Sequence, residues 1–242
     1  NNNQMTGTIP NNIGVLSQLV QLRASNNALR GTIPRSMGTM SRLALLDLSN
    51  NKIGGSIPDI TASLYALEEL LLNDNLLVGN LPPNMLMGKN FDLTKMLLHN
   101  NKLAGPIPSS VNNLFKLQIL RFDNNKMTGS IPTPISTMSN LQEFRINENQ
   151  FDGTLPTDLG SMSTLQILHM QENKFHGFIP TEFGDMTELT SLQMHHNHLT
   201  GTLPNEICLS HEVWNYLSTD CDIKNKAAIQ PYVACSCCTR CY

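Results

Sequence analysis

Six cysteines, Cys208, Cys221, Cys235, Cys237, Cys238 and Cys241, all fall after residue 207 of a 242-residue chain. An even number crowded at one end reads as a set of disulfides, and hence as an oxidising compartment. Zinc is the competing chemistry, since C-x-C-C-x-x-C offers four sulfurs, but this spacing differs from the paired C-x-x-C knuckles of structural zinc sites. Histidines gather toward the same end, at His169, His176, His195, His196 and His198. With His169 and His195 on neighbouring turns roughly 5 Å apart, a metal or a pH-dependent contact comes within range, although a surface histidine is more often simply polar. Catalysis finds no foothold: the carboxylates are scattered, and no Ser, Thr or Cys stands in a nucleophile motif. The chain reads as a non-enzyme that needs no cofactor.

What positions these residues is a repeat. Leu43 to Pro58 spells L-x-x-L-x-L-x-x-N-x-I-x-G-x-I-P, and its second Asn column runs Asn3, Asn27, Asn51, Asn75, Asn101, Asn125, Asn149, Asn173, Asn197. The step is 24 residues, with one step of 26, by subtraction of these numbers. Such a period marks a solenoid of stacked turns. The alternation in L-x-L predicts a short strand with Leu46, Leu70, Leu120 and Leu168 facing inward, and stacking makes a parallel sheet. Turning after each strand leaves backbone groups inside the coil, and an Asn side chain satisfies both a donor and an acceptor there. Gly55 permits a backbone geometry closed to other residues, and Pro58 fixes φ as the chain leaves for the outer face. There a short helical or irregular turn follows, with Met37 and Met40 inward.

This sentence of sequence resembles the plant-type subclass of extracellular leucine-rich repeats, found in receptor-kinase ectodomains and polygalacturonase-inhibiting proteins. The resemblance covers residues 1 to about 207 and implies a curved, right-handed α/β solenoid with a parallel concave sheet. Cys-Ser-Cys-Cys-Thr-Arg-Cys, with Asp220-Cys221, resembles the C-terminal block of secreted leucine-rich-repeat proteins of diatoms and related algae. The expected domains are therefore a nine-turn solenoid over 1–207, its first turn partial, and a disulfide-stapled cap over 208–242. Leu209, Val213 and Leu217, four residues apart, predict a short amphipathic helix there, with Trp214 laid over the last turn.

Composition narrows the partners. Charged residues make up 14%, against roughly 25% in an average globular chain, and 28 Asn help fill the deficit. A net charge of −3 gives no long-range pull on phosphate backbones, so nucleic acid is not an expected partner. No apolar run of about 18 residues suggests a membrane span. The chain opens at Asn1 to Gly7 in mid-repeat, so it reads as a piece of something longer. N-linked glycosylation sequons are absent.

Because the period is fixed, the outward strand positions can be assigned. Leu45, Leu71, Leu97 and Ile119 put apolar side chains where solvent is expected, and beside them Arg121, Glu143, Arg145, Glu148, His169 and Glu172 form a charged region. An apolar patch next to convergent charge suits a protein or peptide partner, a glycan being a further candidate. The expectation is an extracellular or cell-surface recognition module of receptor, adhesion or inhibitor type, with Leu71, Leu97, Ile119, Arg121, Glu143, Arg145, His169 and Glu172 as the contact residues. The alternative is a structural component of a wall or matrix that assembles with copies of itself. A hydroxyl-rich row, Thr8, Thr32, Ser56, Ser130, Thr154 and Thr202, interrupted by Asn80, Pro106 and Phe178, raises polysaccharide, ice or mineral binding as a minor reading.

Overall fold

The structure is a computed structural model, describing residues 3–60, 63–83, 92–209, 215–219, 233–234 and 240–241. Each turn lays down one short strand, of three residues in the eight turns up to Gln193, in a ten-stranded parallel sheet in strictly sequential order: Gln21–Arg23, Leu45–Asp47, Glu69–Leu71, Lys95–Leu97, Ile119–Arg121, Glu143–Arg145, Ile167–His169, Ser191–Gln193, Tyr216–Thr219 and Arg240–Cys241. The register pairs equivalent positions, so that Leu46 lies beside Leu70, and Leu120 beside both Phe144 and Met96. These inward residues are all buried. The predicted strand pattern is therefore present on every turn from Gln21 onward.

The Asn column does the expected work. Asn51 accepts from the amide of Leu29 on the preceding turn at 3.0 Å and donates to the carbonyls of Ala24 and Leu48, each at 3.0 Å. Asn75, Asn101, Asn125, Asn149, Asn173 and Asn197 repeat the arrangement. One residue before each, the chain passes through the left-handed region at Asn26, Asn50, Asp74, Asn100, Asn124, Glu148, Glu172 and His196, with φ of 52° to 56°. Asn and Asp tolerate that region best, which accounts for five of the eight residue types.

After the Asn turn the chain runs through a second row of parallel strands, from Gly54–Gly55 to His198–Thr202. The residue pattern predicts only core filler and a glycine turn here, and the structure adds strand pairing. Its strands stack because each turn repeats the last, and Gly55, at φ 72°, fits where the Thr32 side chain of the preceding turn would otherwise strike a Cβ at 2.7 Å. Proline then leads into short 3-10 helices on the outer face, such as Arg35–Thr39, where Met37 is inward; Met40 follows, also buried.

Beyond Pro204 the expected helix through Leu217 does not form. A five-residue helix, Asn205–Leu209, is followed by the strand Tyr216–Thr219, which pairs with Ser191–Gln193 and buries Leu217 completely. Sheet pairing overrides the four-residue spacing, because a strand here satisfies backbone groups that the last turn would leave open. Leu209 stays outside, largely exposed. Val213 and Trp214 lie outside the described residues. No helix among the described residues is long and apolar enough to cross a membrane.

Candidate functional site

The outward columns of the ten-stranded sheet bring most of the predicted residues together. Arg121 and Arg145 are register neighbours, and like charges so placed repel unless answered. They are answered within the domain. Arg121 makes a two-pronged pair with Asp123, Nε to Oδ1 at 3.0 Å and Nη2 to Oδ2 at 2.8 Å. Glu143 bonds the Nε of Arg145 and stands 3.8 Å from the Nε of Arg121, bridging both cations. Burial works against the charge on Arg121, but Asp123 and the other carboxylates outweigh it and raise its pKa above the ordinary value. Glu148 takes no part in this pair network; it accepts from Asn147 instead.

His169 completes the cluster. Arg145 Nη1 lies 3.1 Å from its Nδ1, and since a guanidinium only donates, Nδ1 must accept. Nε2 then carries the proton and donates to Ser191 Oγ at 2.8 Å. Burial, followed by the charge of Arg145, lowers its pKa from 6.5 to about 4. The His–Ser distance is that of a base and nucleophile, yet the group behind the ring is a cation where a catalytic triad needs a carboxylate. That arrangement opposes proton uptake by the ring, so it does not make a general base.

A pH dependence follows. A histidine whose folded pKa is depressed contributes stability in full above about pH 6.5, and that contribution is lost as the pH falls toward 4. Wild-type protein should lose about 2–3 kcal/mol more than His169→Gln between these limits. Urea melts of both proteins across the window check this, and parallel curves would contradict it. His99, lowered first by burial and then by Arg121, adds in the same direction in both proteins.

The apolar residues form a diagonal band. Leu71 and Leu97 are register partners, Leu97 also faces Arg121, and Ile119 faces Lys95. All three are half-buried, whereas Leu45 is buried outright. The band thus begins at Leu71. Glu172 stands apart from the arginines, exposed in its left-handed turn and 4.0 Å from the Nδ1 of His196. His169 has Gln193 as its register partner, so the anticipated sideways His169–His195 pair is offset; His195 Nδ1 lies 2.7 Å from Ser218 Oγ.

A further polar ladder links Asn73, Asp74, Asn100 and Asn124. Asn73 and Asn100 both donate to Asp74 at 2.6 Å, and Asn124 donates to Asn100 at 2.9 Å. Beside it the Nδ1 of His99 and the Oδ1 of Asn73 are buried without hydrogen-bond partners. The signal is present in the sequence, as Asn or Asp one place before six of the Asn-column residues. Of the cysteines, Cys208 is half-buried against the core and disulfide-bonded. Cys221, Cys235, Cys237 and Cys238 lie outside the described residues, and Cys241 is described by its backbone alone.

Family models described as leucine rich repeat match residues 139–199, and again 42–64 and 116–138. Among solved structures, the plant peptide hormone receptor RGFR1 in complex with RGF2 superposes with a TM-score of 0.84 at 33% identity. The fold is a leucine-rich-repeat solenoid. The alignment covers 90% of this chain and 34% of that receptor. The Arabidopsis receptor kinase HAESA, in complex with the peptide hormone IDA and the co-receptor SERK1, gives 0.72 at 30% identity over 90% of this chain and 44% of HAESA. A plant ice-binding protein gives 0.73 at 26% identity over 83% of this chain and 63% of its own. The chain thus spans less than two thirds of each of these neighbours. No curated protein matches it. In repeat terms, the arginine cluster occupies the concave faces of three successive turns, and the apolar band the two turns just before together with the first of these three.

Proposed function

We propose that this solenoid is an extracellular recognition module that binds a protein or peptide along its concave face. One observation carries the reading. Half-buried Leu97 and Ile119 are register neighbours of Arg121 and Glu143, in a charge cluster whose side chains are already fixed by mutual bonds, and half-buried Leu71 extends the apolar band one turn further. Fixed cations and carboxylates lose little freedom when a partner arrives, and an adjoining apolar band supplies desolvation. Peptide-bound RGFR1 and HAESA, which share the fold, add support.

The test uses a displayed library of random peptides panned against the whole chain. Selected peptides should lose at least about tenfold in affinity on Leu97→Ala or Arg145→Gln, while Lys116→Glu, exposed and paired among the described residues with exposed Asp92, leaves binding intact. Equal affinity for all three variants would remove the concave face from consideration.

The second reading rests on the hydroxyl row that runs beside the glycine turns. Thr8, Thr32 and Thr154 each place a side chain beside the glycine of the next turn, at Gly31, Gly55 and Gly177, giving a regular stack. Together with the ice-binding neighbour, this points to a crystalline surface as target. Pro106 and the largely exposed Phe178 interrupt the row, so this reading stands second. Freezing-point hysteresis, absent or present, decides it.

A further inference from the structure

We propose that Glu172, His195 and His196 form a binding site for a divalent first-row transition-metal ion of the zinc class. Among the described residues these three offer ligand atoms that all lie within 4.8 Å of one another. Two imidazoles and a carboxylate are donors that zinc, copper and nickel accept, whereas calcium and magnesium prefer all-oxygen sites.

The three differ in exposure in a way that suits capture of an ion. His195 is buried, and Ser218 Oγ at 2.7 Å from its Nδ1 holds the ring in one orientation, as an outer partner does for a ligating histidine. His196 and Glu172 are exposed and occupy the same left-handed position on consecutive turns, so their side chains emerge side by side. The Glu172 carboxylate stands 4.0 Å from His196 Nδ1, and the two histidine rings meet edge-on with centroids 5.0 Å apart. Ligand bonds of about 2.0–2.2 Å place donor atoms roughly 3.3 Å from each other around a tetrahedral ion. Closing from 4.8 Å thus takes about 1.5 Å, a shift that side-chain rotation of Glu172 and His196 provides without moving the sheet. Three protein ligands leave a coordination position open to water or to a partner's side chain.

The left-handed turn also supplies variants that keep the fold. Asn occupies this position at Asn26, Asn50, Asn100 and Asn124, so Glu172→Asn and His196→Asn remove ligands while installing the residue that other turns carry. Zinc chloride is titrated calorimetrically into the full chain in a non-coordinating buffer at about pH 7.5, since metal binding competes with protons for its ligands. The expected result is one ion per chain, weakened at least about tenfold by either variant and unchanged by His198→Ala. Cobalt(II) should then give visible bands of nitrogen and oxygen ligation that the double variant lacks. The proposal is overturned by no binding at about 100 µM zinc, by binding that persists in the double variant, or by a thiolate charge-transfer band showing that cysteines hold the ion.

Discussion

Asn173→Ala is expected to lower the unfolding free energy by about 3 kcal/mol, and Asn173→Asp by more. Asn173 is buried, and its amide nitrogen donates to the carbonyls of Ile146, Met170 and Gln171 at 3.0, 3.1 and 3.3 Å. Its oxygen accepts from the Phe151 amide at 2.9 Å. Alanine abandons these backbone groups in a site that side chains on both adjoining turns seal from water, and each unpaired group costs about 1–3 kcal/mol. Relaxation of the turns and shared carbonyls keep the total below the sum. Aspartate has nearly the same shape and still accepts from Phe151, but it points a carboxylate at three carbonyl oxygens. A buried charge without a partner costs about 3–5 kcal/mol, so the better mimic in shape should be the worse in stability. Urea melts at neutral pH rank the two variants. Should Asn173→Asp prove the milder change, the donor half of the ladder would not be what holds adjacent turns together.

Much of this was legible from residue types alone because the period constrains everything at once. An Asn every 24 residues, with one step of 26, requires turns that stack, and L-x-L between them requires strands with one face in the core. Hence Leu46, Leu70, Leu120 and Leu168 could be placed inward, and Arg121 beside Arg145, with no structure in hand. What escaped depends on contacts between turns. The second row of strands arises from Gly54–Gly55 and its equivalents pairing with their own copies, which no single turn declares. Leu217 matched a helical spacing, yet the open edge at Ser191–Gln193 made a strand of it. Within the charge region Asp123 holds Arg121, while Glu172, in a left-handed turn, faces His196 instead of the arginines. Side-chain direction within the turn, set by φ, separates two carboxylates that residue type alone makes equivalent.

The same dependence on neighbouring turns predicts opposite outcomes for one substitution at two equivalent glycines. Gly160→Ala should cost about 3 kcal/mol, whereas Gly38→Ala should stay within about 1 kcal/mol of wild type or gain slightly. Both residues lie in outer-face 3-10 helices, Thr157–Ser161 and Arg35–Thr39. Neither has the positive φ that would favour glycine, so space decides. A Cβ at Gly160 would fall 2.2 Å from the carbonyl oxygen of Glu182 and 2.6 Å from its carbonyl carbon, atoms of the next turn's backbone. Backbone cannot rotate aside, so the two turns would have to separate and expose the core they share. At Gly38 the nearest atoms are Ile60 Cβ and Cγ2, both at 3.5 Å, an ordinary packing distance for a methyl group. The chain also loses less entropy on folding when alanine replaces glycine. Position in the repeat gives no warning of the difference, since Asn112 and Ser136 occupy the same column between them. Thermal melts of the two single variants make the comparison. Equal destabilisation would assign the effect to the column as a whole, and a wild-type melt for Gly160→Ala would mean that the outer helices of adjoining turns pack with a gap wide enough for a methyl group.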